Sequence, residues 1–135
     1  MLFRSVRGIP SYIHAEPGSL LPGIDQFIGA IDDQTTAVLL NSPNNPSGMV
    51  FSTSFVEQLV AACEERGVYL IMDDIYRDLV FDGLESPSAY QFTNRNPDDS
   101  YIVLINGVSK LYGIDRKSTR LNSSHSQQSR MPSSA

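Results

Sequence analysis

The chain has 135 residues, 41% of them hydrophobic, and a formal net charge of −5. That length is one domain or part of one, and that apolar share supports a packed core, which excludes fibrous and fully disordered classes. The acidic balance argues against a nucleic-acid partner and against a basic membrane-binding patch.

Ile9 to His14 is a candidate first strand, and Gly23 to Ile31 a short helix. The run Ala37-Val38-Leu39-Leu40 reads as a strand. Ser54-Phe55-Val56-Glu57 then has the form of a capping box, with the Ser54 hydroxyl placed to accept from the Glu57 amide. It predicts a helix through about Arg66, with Phe55, Leu59 and Cys63 along one face and Gly67 as the left-handed residue that ends it. Cys63 is expected to be a core residue of this helix and not a nucleophile. As the single cysteine it excludes an internal disulfide and suits a reducing compartment, so a cytoplasmic location is expected. Two more apolar runs come later in the chain, Val68-Tyr69-Leu70-Ile71-Met72 and Tyr101-Ile102-Val103-Leu104-Ile105. Short, wholly apolar runs on either side of an amphipathic helix predict a βαβ unit whose strands are buried on both faces. The fold class is therefore α/β, a mostly parallel sheet flanked by helices. No run is long enough to span a bilayer, and Met1-Leu2-Phe3-Arg4 is not followed by the apolar centre of a signal peptide.

The segments just beyond the strands carry the functional information. Asn41-Ser42-Pro43-Asn44-Asn45-Pro46-Ser47-Gly48 comes after the first, Asp73-Asp74-Ile75-Tyr76 after the second, and Asn106-Gly107-Val108-Ser109-Lys110 after the third. Ligands of open α/β sheets bind beyond the carboxyl ends of the strands. An amide, an acid and a lysine at three such ends are placed to converge on one ligand. Singly, each has a plainer reading: Asn45-Pro46-Ser47-Gly48 as a turn, Asp73 as a strand end, Tyr76 as core, Lys110 as a solvated surface residue. Their joint order is what argues against those readings. No strand is followed by Gly-x-Gly-x-x-Gly, which sets a dinucleotide-binding reading aside.

These three ordered motifs resemble the class I/II aminotransferases, the aspartate-aminotransferase-like branch of fold-type I pyridoxal 5'-phosphate (PLP) enzymes. The resemblance runs from about Gly8 to Gly113 and rests on Asn-Ser-Pro-Asn-Asn-Pro-Ser-Gly, Asp-Asp-Ile-Tyr and Asn-Gly-Val-Ser-Lys-Leu-Tyr-Gly. It implies a partial large PLP-binding domain over residues 1–114. It also implies that Lys110 would hold the cofactor as a Schiff base and that Asp73 would pair with the pyridine nitrogen. Asn45 and Tyr76 would reach the phenolic oxygen, and Ser109 the phosphate. Such chemistry needs these residue types. A carboxylate at the ring nitrogen keeps it protonated, donors at the phenolic oxygen stabilise its anion, and lysine can both form the imine and, once displaced, carry a proton. Arginine at 110 could do neither. The resemblance implies amino-group transfer between an amino acid and a 2-oxo acid, and a homodimer. A fold-type I C–S β-lyase uses the same residues and is the alternative. So is a non-catalytic α/β fragment, since the family's phosphate-binding loop, ring-stacking aromatic and small domain have no counterpart in these residues.

The family pattern stops after Gly113, and the place of its phosphate-binding arginine is taken by Ser118. Up to Ile114 there are six basic and fourteen acidic side chains, a balance of −8; from Asp115 onward there are four basic and one acidic, a balance of +3. A basic, Ser-rich stretch with few apolar residues is expected to be disordered. It also resembles a translated sequencing adapter. The common adapter DNA, read from the Asp115 codon, encodes Asp115 through His125 without a mismatch, and its downstream part accounts for Ser129 through Ala135. Residues 115–135 are therefore expected not to be biological sequence. Resequencing the locus is expected to show a different reading after Ile114; genomic DNA encoding this run would overturn the expectation.

Overall fold

A computed structural model describes residues 7–15 and 17–107. Lys110, Ser109 and the boundary expected at residue 114 lie outside the described residues. The elements run α1 (Ile24–Ala30), β1 (Ala37–Asn41), α2 (Thr53–Arg66), β2 (Tyr69–Asp73) and β3 (Ile102–Ile105), with two single-turn 3-10 helices, Ala89–Gln91 and Pro97–Asp99, between β2 and β3. The three strands form one parallel sheet in the order β1-β2-β3. β1, α2 and β2 make the expected βαβ unit. Ile9 to His14 forms no strand. This stretch is instead pinned where the Gln26 side chain donates to the His14 carbonyl (3.1 Å), and with Ile9 95% exposed no sheet edge holds it.

α2 starts one cap earlier than its sequence suggests. Ser52, not Ser54, is the N-cap: its hydroxyl accepts from the Phe55 amide at 3.2 Å. Ser54 already sits in the first turn and pairs with the Gln58 side chain (2.9 Å). Both serines are spaced to cap. Starting at Thr53 turns Phe55, Val56, Leu59, Val60, Ala62 and Cys63 inward together. The helix ends as expected at Gly67, whose φ of 66° and N–H bond to the Cys63 carbonyl make a left-handed cap. A side chain there would also meet the Tyr101 ring. The Arg66 guanidinium donates to the Ile28 and Ile31 carbonyls (2.7 and 3.3 Å), satisfying acceptors that the end of α1 leaves open.

One apolar cluster joins α1, α2 and one face of the sheet. Val38, Leu40, Leu70, Met72 and Ile102 meet Leu59, Val60, Val56 and Cys63, and edge-to-face contacts of Phe27 with Phe51 and Phe55 close one end. Burial holds the Cys63 thiol up to about 11, which fits a core thiol and not a nucleophile. The strands are buried on one face, not two. In register, Leu39, Ile71 and Val103 line the opposite face, and Leu39 and Val103 are 50% and 43% exposed. The sequence expectation fails here because covering the second face of a parallel sheet takes helices, and among the described residues the only crossover helix packs on the first. The β2–β3 connection lies across the end of α2, where Thr93 donates to Glu64 (2.6 Å) and Arg95 sits over the Tyr101 ring.

Candidate functional site

The carboxyl ends of β1 and β2 lie side by side, with Asn41 opposite Asp73 as the last pair of the ladder. β1 runs directly into the loop 42–50, which folds back on itself. Asn44 and Met49 close it backbone to backbone (2.8 Å), Gly48 donates to the Asn44 carbonyl (2.7 Å) with φ of 72°, and Ser47 donates to the Asn44 carboxamide (2.8 Å). Ser42 is fully buried, and its hydroxyl accepts from Phe51 where the loop rejoins the core. The turn reading of Asn45-Pro46-Ser47-Gly48 thus holds for Ser47 and Gly48, both of which bond back to Asn44. Asn45 is different: its backbone amide is held, but among the described residues its side-chain amide has no partner, and it is exposed.

Beyond β2 the chain turns tightly, with the Arg77 amide bonded to the Asp74 carbonyl and the Leu79 amide to the Tyr76 carbonyl. This turn brings Tyr76 and Leu79 over the loop. Together with Pro43, Asn44, Asn45, Pro46 and Gly48 they line an open hollow of about 260 Å³. Of the sequence candidates, Asn45 and Tyr76 therefore share one hollow. Asp73 lies at the neighbouring strand end without lining it. Its carboxylate, half-buried, accepts only from the Ile75 amide (3.4 Å) among the described residues, which leaves acceptor positions open. Lys110 itself is outside the described residues. β3 does end at Ile105, beside Asp73, so the chain leaves the sheet toward Lys110 from the same end.

Asp74, next to Asp73 just past the strand end, is buried. Alternation along β2 points residues 70, 72 and 74 inward, and Asp74 is 1% exposed. One oxygen meets Arg77 at 3.3 Å, while the other has no hydrogen-bond partner among the described residues. Burial pushes its carboxyl up to about 6; Arg77 pulls it back in part, and Asp78 and Asp73 push it further up. Asn41 was missed as an individual residue. Its side-chain oxygen accepts from the Asn45 amide (2.7 Å), and its side-chain nitrogen donates to the Asp73 carbonyl (3.3 Å).

The donor set fits PLP. Two uncharged donors, the Asn45 side-chain amide and the Tyr76 hydroxyl, have no partner among the described residues and line one hollow, and a carboxylate with open acceptor positions stands at the next strand end. Among the described residues no group of His, Cys, Asp or Glu is arranged to hold a metal ion, and no helix is long and apolar enough to cross a membrane.

Comparison with known proteins gives the same direction. The family model for aminotransferase class I and II matches residues 3–116, ending just inside the adapter-like run. An L-aspartate:5-guanidino-3-methyl-2-oxopentanoate transaminase of Pseudomonas syringae is 35% identical over 75% of this chain and 25% of its own length. An aspartate aminotransferase of Bacillus sp. strain YM-2 is 33% identical over 79% of this chain and 27% of its own length. The crystal structure of the Thermotoga maritima aspartate aminotransferase superposes with a TM-score of 0.61 at 36% identity, covering 69% of this chain and 24% of that one. The chain thus spans about a quarter of the length of the relatives it matches. The motif order, the parallel sheet and a family match over most of the chain together place it among the class I and II aminotransferases, which are PLP-dependent enzymes.

Proposed function

We propose that this chain is part of the large, cofactor-binding domain of a transaminase, and that Asn45, Asp73, Tyr76 and Lys110 are its PLP-binding residues. The observation that carries the assignment is the shared hollow of Asn45 and Tyr76 beside the Asp73 strand end. When bound, PLP supplies an electron sink for charge developing at a substrate's α-carbon. The Asp73 carboxylate holds the proton on the ring nitrogen, which keeps that sink electron-poor. The Asn45 amide and the Tyr76 hydroxyl donate to the phenolic oxygen and hold it as the anion. The Lys110 ε-amine would hold the cofactor, and as a free amine it would be the base that moves a proton at the substrate's α-carbon. The whole enzyme transfers an amino group between an amino acid and a 2-oxo acid, acts as a homodimer and works in the cytoplasm. The support for these is its family and a single buried thiol that suits a reducing compartment. The chain of 135 residues by itself is inactive, because it spans about a quarter of its relatives.

The test is titration with PLP followed by its absorbance. In the complete enzyme carrying this segment, Lys110→Ala is expected to abolish the covalent cofactor band. Asp73→Ala is expected to weaken cofactor binding at least tenfold, about 1.4 kcal/mol. Unchanged binding in Asp73→Ala would remove that residue from the set. The 135-residue chain is expected to show at most a weak band, and one as strong as that of the complete enzyme would contradict its incompetence.

A further inference from the structure

Asn45 and Asp73 belong to different elements, a loop and a strand end, yet they must present donors and acceptors to one ligand at fixed spacing. A single side chain links the two. Asn41 is the last residue of β1 and stands opposite Asp73 in the parallel register. Its Oδ1 accepts from the Asn45 backbone N–H at 2.7 Å, and its Nδ2 donates to the Asp73 carbonyl at 3.3 Å. The two partners fix the orientation of the amide, since one can only donate and the other can only accept. The Asp73 carbonyl is shared with the Ser42 N–H (3.2 Å), so the strand end is held by Asn41 and by the loop's first residue. No other hydrogen bond among the described residues holds the Asn45 backbone: the loop's remaining bonds close Asn44, Ser47, Gly48 and Met49 on one another or tie Ser42 to Phe51.

We propose that Asn41 is a positioning residue: its carboxamide couples the Asn45 loop to the Asp73 strand end and so sets the geometry in which both meet the cofactor. This rests on the assignment of Asn45 and Asp73 as PLP ligands. Asparagine is suited to it because the brace needs an acceptor and a donor on one short, planar group. Aspartate offers the acceptor alone and turns a negative charge toward the Asp73 carbonyl; alanine offers neither.

The test uses the complete enzyme carrying this segment, with Asn41→Ala, Asn41→Asp and Asn45→Ala. Three quantities are read: amide hydrogen exchange of the Asn45 peptide, PLP affinity, and the pH midpoint of the bound cofactor's visible absorbance band. The band midpoint answers to donation at the phenolic oxygen, so a purely structural loss would leave it in place. Asn41→Ala is expected to speed exchange at Asn45 at least tenfold, to weaken PLP about tenfold, and to raise the band midpoint toward that of Asn45→Ala. Asn41→Asp is expected to keep Asn45 protected while still weakening PLP, because only the strand half of the brace is lost. Unchanged exchange and affinity in Asn41→Ala would overturn the proposal. So would full affinity in Asn41→Asp, which would make Asn41 a cap for its own loop and no brace. If Asn45→Ala leaves PLP affinity and the band unmoved, it is the ligand assignment that fails, and the Asn45 exchange rate still decides whether Asn41 holds the loop.

Discussion

Leu40→Ala is expected to destabilise the chain by about 3–5 kcal/mol, while Leu39→Ala, one residue away, costs under about 1 kcal/mol. The two residues are chemically identical and adjacent in β1, so neither helix nor strand propensity separates them. They differ in which face of the sheet they occupy. Leu40 is 2% exposed and packs in the cluster with Leu59, Leu70 and Met72; Leu39 is 50% exposed on the open face. Truncating Leu40 loses the transfer free energy of its methyl groups and leaves a cavity walled by strands and α2, which relax only in part. Truncating Leu39 removes a side chain already half in water. Urea midpoints of the two variants against the parent measure the difference. Equal losses would show that both faces of the sheet are packed in the 135-residue chain.

Asp74→Asn is expected to make stability depend less on pH, with an effect of about 3 kcal/mol between about pH 4 and pH 7. In the folded chain burial lifts the Asp74 carboxyl to about 6, whereas an unfolded aspartate titrates near about 3.9. The folded state therefore binds this proton more tightly than the unfolded state. Its contribution is fully present below about pH 4 and is lost as pH rises through about 6. Moving a carboxyl from about 3.9 to about 6 is worth about 3 kcal/mol, and solvent screens little of it because the Asp74 side chain is fully buried. Asparagine keeps the shape and removes the charge. The stability of Asp74→Asn minus that of the parent is thus expected to grow by up to about 3 kcal/mol as pH rises across this window. Denaturation series at about pH 4.5, 5.5 and 7 measure it. A difference that stays constant across the window would show that Asp74 ionises in the folded chain without penalty. Arg77, at 3.3 Å and itself a third exposed, offsets only part of the burial cost, which is why the direction is upward despite an ion pair.

Much of this protein was legible in its residues. The βαβ unit could be read from three apolar runs and one amphipathic helix, because period and chain order are local properties. The ends of α2 were visible to within a residue or two, with Gly67 correct because a left-handed cap demands glycine and Ser52 missed because two serines of equal capping ability stand two apart. The candidate ligands were legible for the same reason: in a parallel sheet, the segments leaving the strands all lie at the same edge, so Asn45, Asp73 and Tyr76 could be read as neighbours from chain order alone.

Tertiary structure decided the rest, and in each case the deciding quantity joins residues far apart in the chain. Whether an apolar strand is covered on one face or two depends on which helices reach it, and among the described residues none covers the face that holds Leu39 and Val103. Whether Asp73 or its neighbour Asp74 is buried is set by one residue of pleat, which composition cannot show: two adjacent aspartates look alike, yet one keeps acceptors open and the other is driven up to about 6. The link from Asn41 to Asp73 spans 32 residues and exists only because parallel pairing puts their strand ends in register. The sequence by itself determined which side chains could do this chemistry and in what order. Their register across the sheet, and the single amide that holds two of them to one geometry, came only from the fold.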